Sequence, residues 1–396
     1  MTDTEADARA GAGPDRSPGP VVSWFGHAAG RRADGLSSYS EQLGQGLGRR
    51  GWTVFFHHLR GDGHLAPVDD RHRTVWRGAR FKTVSVAAPG FRAAAARRLA
   101  AERPDIVHCS LSFSLADGWL AAEAHRLGAG AVVTFHVPHG RRGSGRGRVL
   151  QALYRFWAGR LRDFDRVIAF TPEQVERLSA AGVPADRCVV IPNAVDTERF
   201  RPGASRLRTG ELKGARLVVG YLGRLDPEKR AAILVETALG AGLPEDVYLL
   251  VAGRGRQEGR VRAAVLRSTH ARYLGRLDTV SARADFWRAV DVFCLLSSAE
   301  GLSLALLEAM ASGCAIVATA EAGAAVAGPG GVTLPAAGVP AALAAELRRL
   351  ARDPGIAAEL GRLARAEAVR HHGVEAMLDR VVDVYRSLAR PAARFP

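Results

Sequence analysis

The sequence predicts an α/β protein made of two parallel-sheet halves that face a cleft. Two observations carry this reading. Short β-branched and aromatic runs alternate with helix-period patterns along the chain, the mark of repeated βαβ units. Midway, a polar, Pro-containing stretch from Asp196 to Gly214 interrupts the rhythm, which then restarts as if in a second domain. Ligands of such sheets sit at the carboxyl ends of strands, so the cleft between the halves is the natural site.

The elements follow in order. The first half reads as strand Val21–Gly26, helix Leu36–Arg50, strands Thr53–Leu59, Phe81–Val86 and Asp105–Ser110, helix Leu115–Leu127 and strand Val132–His136. Leu36, Tyr39, Leu43 and Leu47 keep helical spacing in the first of those helices. A strand Val167–Phe170, a helix opened by Thr171-Pro172 and a run Val189–Asn193 close this half. The second half reads as strand Leu217–Leu222, helix Lys229–Leu239, strand Val247–Ala252, helix Gly259–Ser268, strands Arg272–Leu274 and Val292–Leu296, helix Leu304–Ala311 and strand Ala315–Thr319. The last 60 residues are helical and end in Val374–Leu388. The expected divisions are a disordered lead-in over 1–20, domains over 21–200 and 201–373, and a terminal helix, 374–396, returning to the first domain.

Composition narrows the class. The 396 residues are 47% apolar and 24% charged, ordinary for a folded protein. Four cysteines, Cys109, Cys188, Cys294 and Cys314, lack the density or pairing of a disulfide scaffold, so reduced thiols in the cytoplasm are expected. No apolar run approaches the roughly 18 residues of a membrane span. No His or Asp cluster has metal-ligand spacing, and no metal is expected.

The formal charge of +15 comes from 52 Arg and 3 Lys against 40 acids. Both halves share the excess, so no polybasic tail for nucleic acid exists, and no nucleic-acid partner is expected. Locally, Arg71 to Arg103 holds nine bases and one acid, and Arg141 to Arg162 seven bases and no acid. Within the second stretch, Gly145 to Arg162 interleaves Val149, Leu150, Leu153, Tyr154, Trp157 and Leu161 with five arginines. That pattern suits either a helix on an anionic membrane face or an ordinary surface helix with Trp157 on the core.

Two segments carry chemistry. Ser297 to Gly313 leaves an apolar strand, turns at Glu300-Gly301-Leu302 and opens a helix that Ser303 can cap, directing main-chain N–H groups toward an anion. Glu308, two turns in on an apolar face, needs a partner, and a ligand hydroxyl is one candidate. Gly220 to Arg230 leaves another strand. Glycines such as Gly223 permit close approach, and Arg224 and Lys229 could clamp a pyrophosphate as charge builds on it. Gly253-Arg254-Gly255, Gly259 and Asp278 imitate a dinucleotide fingerprint, but the third glycine falls one position late.

With Ile191-Pro192-Asn193-Ala194-Val195-Asp196 before them, these segments resemble the retaining glycosyltransferase family four, whose fold is GT-B, two Rossmann-like domains around a central cleft. Glu300 and Glu308 match the family's paired glutamates, and Arg224 and Lys229 its phosphate-binding pair. The resemblance implies that Glu300 faces the donor sugar, that Gly301, Leu302 and Ser303 offer N–H groups to it and to the phosphates, and that Glu308 holds the ribose. It implies that the turn of Gly275 and Arg276 reads the nucleobase, that Gly35 belongs to a loop closing on the phosphates, and that His136 approaches donor sugar and acceptor. The chain departs from the family at Ala33-Asp34, Leu302-Ser303, Ala315 and the short stretch Ala320 to Pro335, which leaves the donor sugar open.

The implied activity is a retaining, metal-independent hexosyl transfer from a nucleotide diphosphate sugar, a UDP-sugar by family frequency, to an acceptor hydroxyl, with no cofactor. Two alternatives stay open: a GDP-mannose-dependent mannosyltransferase acting on a phospholipid at the inner membrane face, and a nucleotide-sugar epimerase or hydrolase on the same scaffold.

Overall fold

The computed structural model describes residues 19–26, 35–59, 73–76, 78–81, 84–111, 117–136, 139–140, 145–300, 302–335 and 337–388. Residues 1–18 of the lead-in and Gly301 lie outside the described residues.

The N-terminal sheet has seven strands in the order Cys188–Val190, Arg166–Ala169, Gly130–Phe135, Ile106–Leu111, Val21–Gly26, Thr53–Leu59 and Arg73–Trp76. All neighbours are parallel. Every residue of Gly130–Phe135 is buried, as expected for a strand covered on both faces by helices. The C-terminal sheet has six parallel strands in the order Ala271–Tyr273, Val247–Ala252, Leu217–Leu222, Val292–Leu295, Ala315–Thr319 and Gly331–Leu334.

The strand expected over Phe81–Val86 is instead two short strands, Gly78–Phe81 and Val84–Ala87, paired antiparallel and separate from the main sheet. Lys82 and Thr83, between these strands in the sequence, lie outside the described residues. Strand Arg73–Trp76, helix Phe91–Glu102, helix Val280–Ala289 and strand Gly331–Leu334 are additions to the sequence reading.

Helix Gly35–Arg49 buries Tyr39, Leu43 and Leu47, and it lies so close to helix Val374–Leu388 that a Cβ on Gly46 would meet Leu378 at 2.3 Å. That terminal helix packs on the N-terminal sheet's half. Arg50 pairs with Glu375 and Asp379 at 2.8 Å each. The chain's two crossings between the halves run side by side, the Val195 N–H donating to the His372 carbonyl at 2.8 Å. A third link spans the cleft: His139–Gly140, after the strand Gly130–Phe135, pairs antiparallel with Ala299–Glu300.

Candidate active site

Strands Leu217–Leu222 and Val292–Leu295 are neighbours in the C-terminal sheet, so the loops leaving their carboxyl ends emerge side by side where the strand order reverses. This register brings Lys229 to Glu300 across 71 positions of sequence. Lys229 ends a short 3-10 turn, Pro227–Lys229, and Arg230 follows in the left-handed region with φ 52°. Nζ of Lys229 ion-pairs with Oε1 of Glu300, both side chains being mostly buried. The Ser297 hydroxyl donates to the same oxygen at 2.7 Å, and the Thr319 hydroxyl donates to the Ser297 carbonyl at 3.0 Å. The two loops are buckled together by Ser298, whose N–H donates to the Glu228 carbonyl at 3.0 Å.

Arg224 goes elsewhere. Its guanidinium pairs with Asp226 and, at 2.8 Å, with Glu228, and Arg256 joins the same two carboxylates. Burial pushes the Asp226 carboxyl up, but the Arg256 N–H and the two guanidiniums outweigh it and hold the group below the usual range. The Glu228 carboxyl is lowered too: burial opposes, and its own backbone N–H and Arg224 prevail. Arg224 remains 63% exposed, whereas its partners Asp226 and Glu228 are only 14% and 11% exposed.

Glu308 is buried on helix Leu304–Ala311, and the protein supplies its partners. Nε1 of Trp287 donates to Oε2 at 2.9 Å, and Nε of Arg283 donates to Oε1 at 3.2 Å and Oε2 at 3.4 Å. Burial raises the Glu308 pKa, and these two donors work against that rise. At the head of the helix the Ser303 hydroxyl caps by accepting from the Leu306 N–H at 3.4 Å. The Leu302 carbonyl accepts from Nδ2 of Asn193 at 2.9 Å, which ties the turn ahead of helix Leu304–Ala311 to the interdomain crossing.

The glycines divide by role. Gly275 has φ 69°, which favours glycine, and Arg276 beside it pairs with Asp278 at 2.7 Å. The fingerprint decoy has a packing explanation: a Cβ on Gly253 would lie 1.8 Å from the Gly223 carbonyl oxygen, and one on Gly255 would strike the Leu225 backbone. Gly35 opens helix Gly35–Arg49.

In the N-terminal half, His136 follows the strand Gly130–Phe135. Its Nε2 lies 3.0 Å from the Ser110 hydroxyl, and its ring meets those of Tyr39 and Phe170 edge-on at 5.2 and 5.0 Å. Tyr154, Trp157 and Leu161 of helix Gly145–Leu161 face the core, whereas Phe156 is 50% exposed with Arg160 stacked over it at 4.3 Å. Among the described side chains of that helix, Tyr154, Trp157 and Leu161 are thus spent on packing. The side chains of Val149, Leu150 and Leu153 lie outside the described ones.

The structure thus joins Lys229 with Glu300, pairs Arg224 separately beside them, and gives Glu308 two partners from helix Val280–Ala289. The sequence reading assigned no role to Ser297, Asn193, Arg283 or Trp287. Among the described residues no helix is long and apolar enough to cross a membrane, and no group of three or more His, Cys, Asp and Glu could hold a metal ion.

Two family models match the two halves, Glycosyltransferase Family 4 over residues 33–199 and Glycosyl transferases group 1 over residues 216–353. The chain belongs to this glycosyltransferase family. Among its curated relatives is a D-inositol 3-phosphate glycosyltransferase of Streptomyces avermitilis, 30% identical over 312 residues, 71% of this chain and 65% of that protein. One of the same name from Nocardiopsis dassonvillei is 32% identical over 252 residues, covering 59% and 58%. The chain thus spans between about half and two thirds of the length of these relatives. Anabaena HepE in complex with UDP and glucose shares the GT-B glycosyltransferase fold at TM-score 0.74 and 19% identity, covering 93% of this chain and 100% of that one. Sucrose-phosphate synthase from Thermosynechococcus elongatus does so at 0.75 and 21%, covering 93% and 99%.

Proposed function

We propose that this protein is a retaining, metal-independent glycosyltransferase that moves a hexosyl group from a nucleotide diphosphate sugar, a UDP-sugar first among donors, to an acceptor hydroxyl. The observation that carries the reading is the meeting of Lys229 and Glu300 at the sheet's reversal point, beside a capped helix N-terminus and next to Arg224. The bond from the anomeric carbon to the diphosphate breaks, and negative charge gathers on the leaving phosphate oxygen. Lys229, Arg224 and the main-chain N–H groups ahead of helix Leu304–Ala311 meet that charge. Glu300, anchored by Ser297, faces the sugar; Glu308 accepts from the ribose hydroxyls; and the turn at Gly275 and Arg276 lies against the base. His136 borders the sugar and acceptor. The acceptor's proton passes to the leaving phosphate as the new bond forms on the same face, giving an α-glycoside.

The curated relatives' names point to phosphorylated inositols as the first acceptors to test. A phospholipid acceptor is the second reading, favoured by the half-exposed Phe156 beside Arg155 and Arg160 and by a similar phosphatidyl-myo-inositol mannosyltransferase of Mycobacterium tuberculosis, 34% identical over 139 residues, a third of each chain.

The test is a thermal-shift screen against UDP, GDP and ADP, since a ligand of the native state raises its apparent stability. Turnover of labelled sugar nucleotides follows, with inositol 3-phosphate, phosphatidylinositol vesicles or no acceptor, in the presence of EDTA. Acceptor-dependent formation of an α-linked product is expected. Equal consumption without acceptor would assign hydrolysis or epimerisation instead, and loss of turnover in EDTA would end the metal-independent reading.

A further inference from the structure

Helix Val280–Ala289 contributes two side chains to the pocket of Glu308. Arg283 and Trp287 stand one turn apart and both donate to its carboxylate, Arg283 through Nε to both oxygens and Trp287 through Nε1 to Oε2. The Arg283 side chain is 16% exposed and Glu308 10%, so this is a largely buried charge pair, closed further by the Phe200 ring under the guanidinium at 5.8 Å. A buried carboxyl with no such cation takes up a proton, and a protonated carboxyl is a poor acceptor for two vicinal hydroxyls.

We propose that Arg283 is a positioning residue that keeps Glu308 an oriented carboxylate, leaving its remaining lone pairs to accept both hydroxyls of the donor's ribose. This rests on the glycosyltransferase reading above.

The other charges on the elements packed around Glu308 are engaged elsewhere or, as with Arg370, exposed. Arg288 on the same helix donates to the Arg199 and Arg201 carbonyls, and Asp285 accepts from the Arg206 N–H. Arg365 of helix Pro354–His371 donates to the Phe200 and Ala311 carbonyls, while on that helix Arg362 pairs with Glu359 and His371 with Glu367. Strands Val292–Leu295 and Ala315–Thr319 bring the Cys294 thiol, which burial pushes up and keeps neutral. Burial is the larger influence and raises the Glu308 pKa, and Arg283 is the cation that opposes it.

The experiment measures Kd by calorimetry between about pH 5.5 and 8.5, a window chosen to span the ordinary His and phosphate range, for UDP and for 2′,3′-dideoxyuridine diphosphate, which lacks the diol. In Arg283→Leu, UDP binding is expected to weaken by about tenfold or more and to fall off from a higher pH than in the wild type. The dideoxy probe, which carries the same titrating diphosphate, should bind both proteins alike. Arg283→Lys should restore the wild-type pH profile. Equal weakening of both probes with an unmoved profile, or UDP binding by Arg283→Leu unchanged throughout, would overturn the inference while leaving the glycosyltransferase reading standing. Failure of the wild type to bind UDP, GDP or ADP would overturn that reading, and the inference with it.

Discussion

The two sides of the cleft are built from different chemistry. On the C-terminal side the candidate groups are charges already answered by countercharges: Lys229 by Glu300, Arg224 by Asp226 and Glu228, and Glu308 by Arg283. On the N-terminal side His136 meets a hydroxyl and two aromatic edges. Such a division suits a reaction in which one partner leaves as an anion and the other is an uncharged sugar. Fixed charges pay off where charge develops, and rings and hydroxyls shape the space where it does not. In the proposed reaction, the preformed ion pairs require a diphosphate to enter by exchanging partners rather than by meeting bare cations.

The sharpest way to break this comparison is Lys229→Ala. Removing one fixed charge from a site of this kind costs about 10²–10³ in turnover, and steady-state kinetics with the preferred donor should show it mainly in kcat. The change also strands the Glu300 carboxylate, so thermal stability should fall. Adding Glu300→Gln removes the stranded charge and should recover stability without recovering turnover. If the double variant regains both, Lys229 serves the fold and not the chemistry. A smaller effect is expected across the cleft: His136→Ala loses a hydrogen bond worth about 1 kcal/mol, roughly a fivefold to tenfold change in kcat/KM. An effect as large as that of Lys229→Ala would erase the distinction between the two sides.

The fold was legible in the sequence because its strands are buried on both faces and read as apolar runs, and because the chemistry sits in strand-to-helix turns with recognisable spacing. Elements at the margins were not. Strand Arg73–Trp76 is the outermost of its sheet and carries the charge that edge strands use to discourage pairing, which masks its alternation. Helix Val280–Ala289 buries Ala284, Phe286, Trp287 and Ala289 among polar residues, with no broad apolar stripe to mark it. With that helix unread, the partners of Glu308 were beyond reach, though Arg283 and Trp287 sit at the spacing that would have placed them on one face. Glu308 was correctly read as needing a partner, but the need was met from within the protein. The meeting of Lys229 and Glu300 likewise follows from strand adjacency, which spacing along the chain does not encode.

The smallest expected effect lies behind His136, at the junction of the terminal helix with the N-terminal sheet. His108 is fully buried, with Nδ1 2.6 Å from the Tyr385 hydroxyl, Nε2 2.8 Å from the Thr134 hydroxyl and the Trp24 ring stacked at 4.0 Å. Burial depresses its pKa well below the usual histidine value, and the nearby His136 adds to this. The unfolded chain binds a proton on this residue from about pH 6.5 downward, while the folded chain does not. Stability is therefore full above about pH 6.5 and declines as pH falls, by up to about 1.4 kcal/mol per unit. His372, also buried and depressed, adds a parallel decline. Urea unfolding of the wild type and of His108→Asn at about pH 7.5 and 5.5, one unit either side of the free imidazole value, separates the two. His108→Asn should start less stable, by roughly the 1 kcal/mol of a buried hydrogen bond, yet lose less on acidification. If both proteins lose the same amount, the imidazole is not the group that ties the terminal helix to a neutral core.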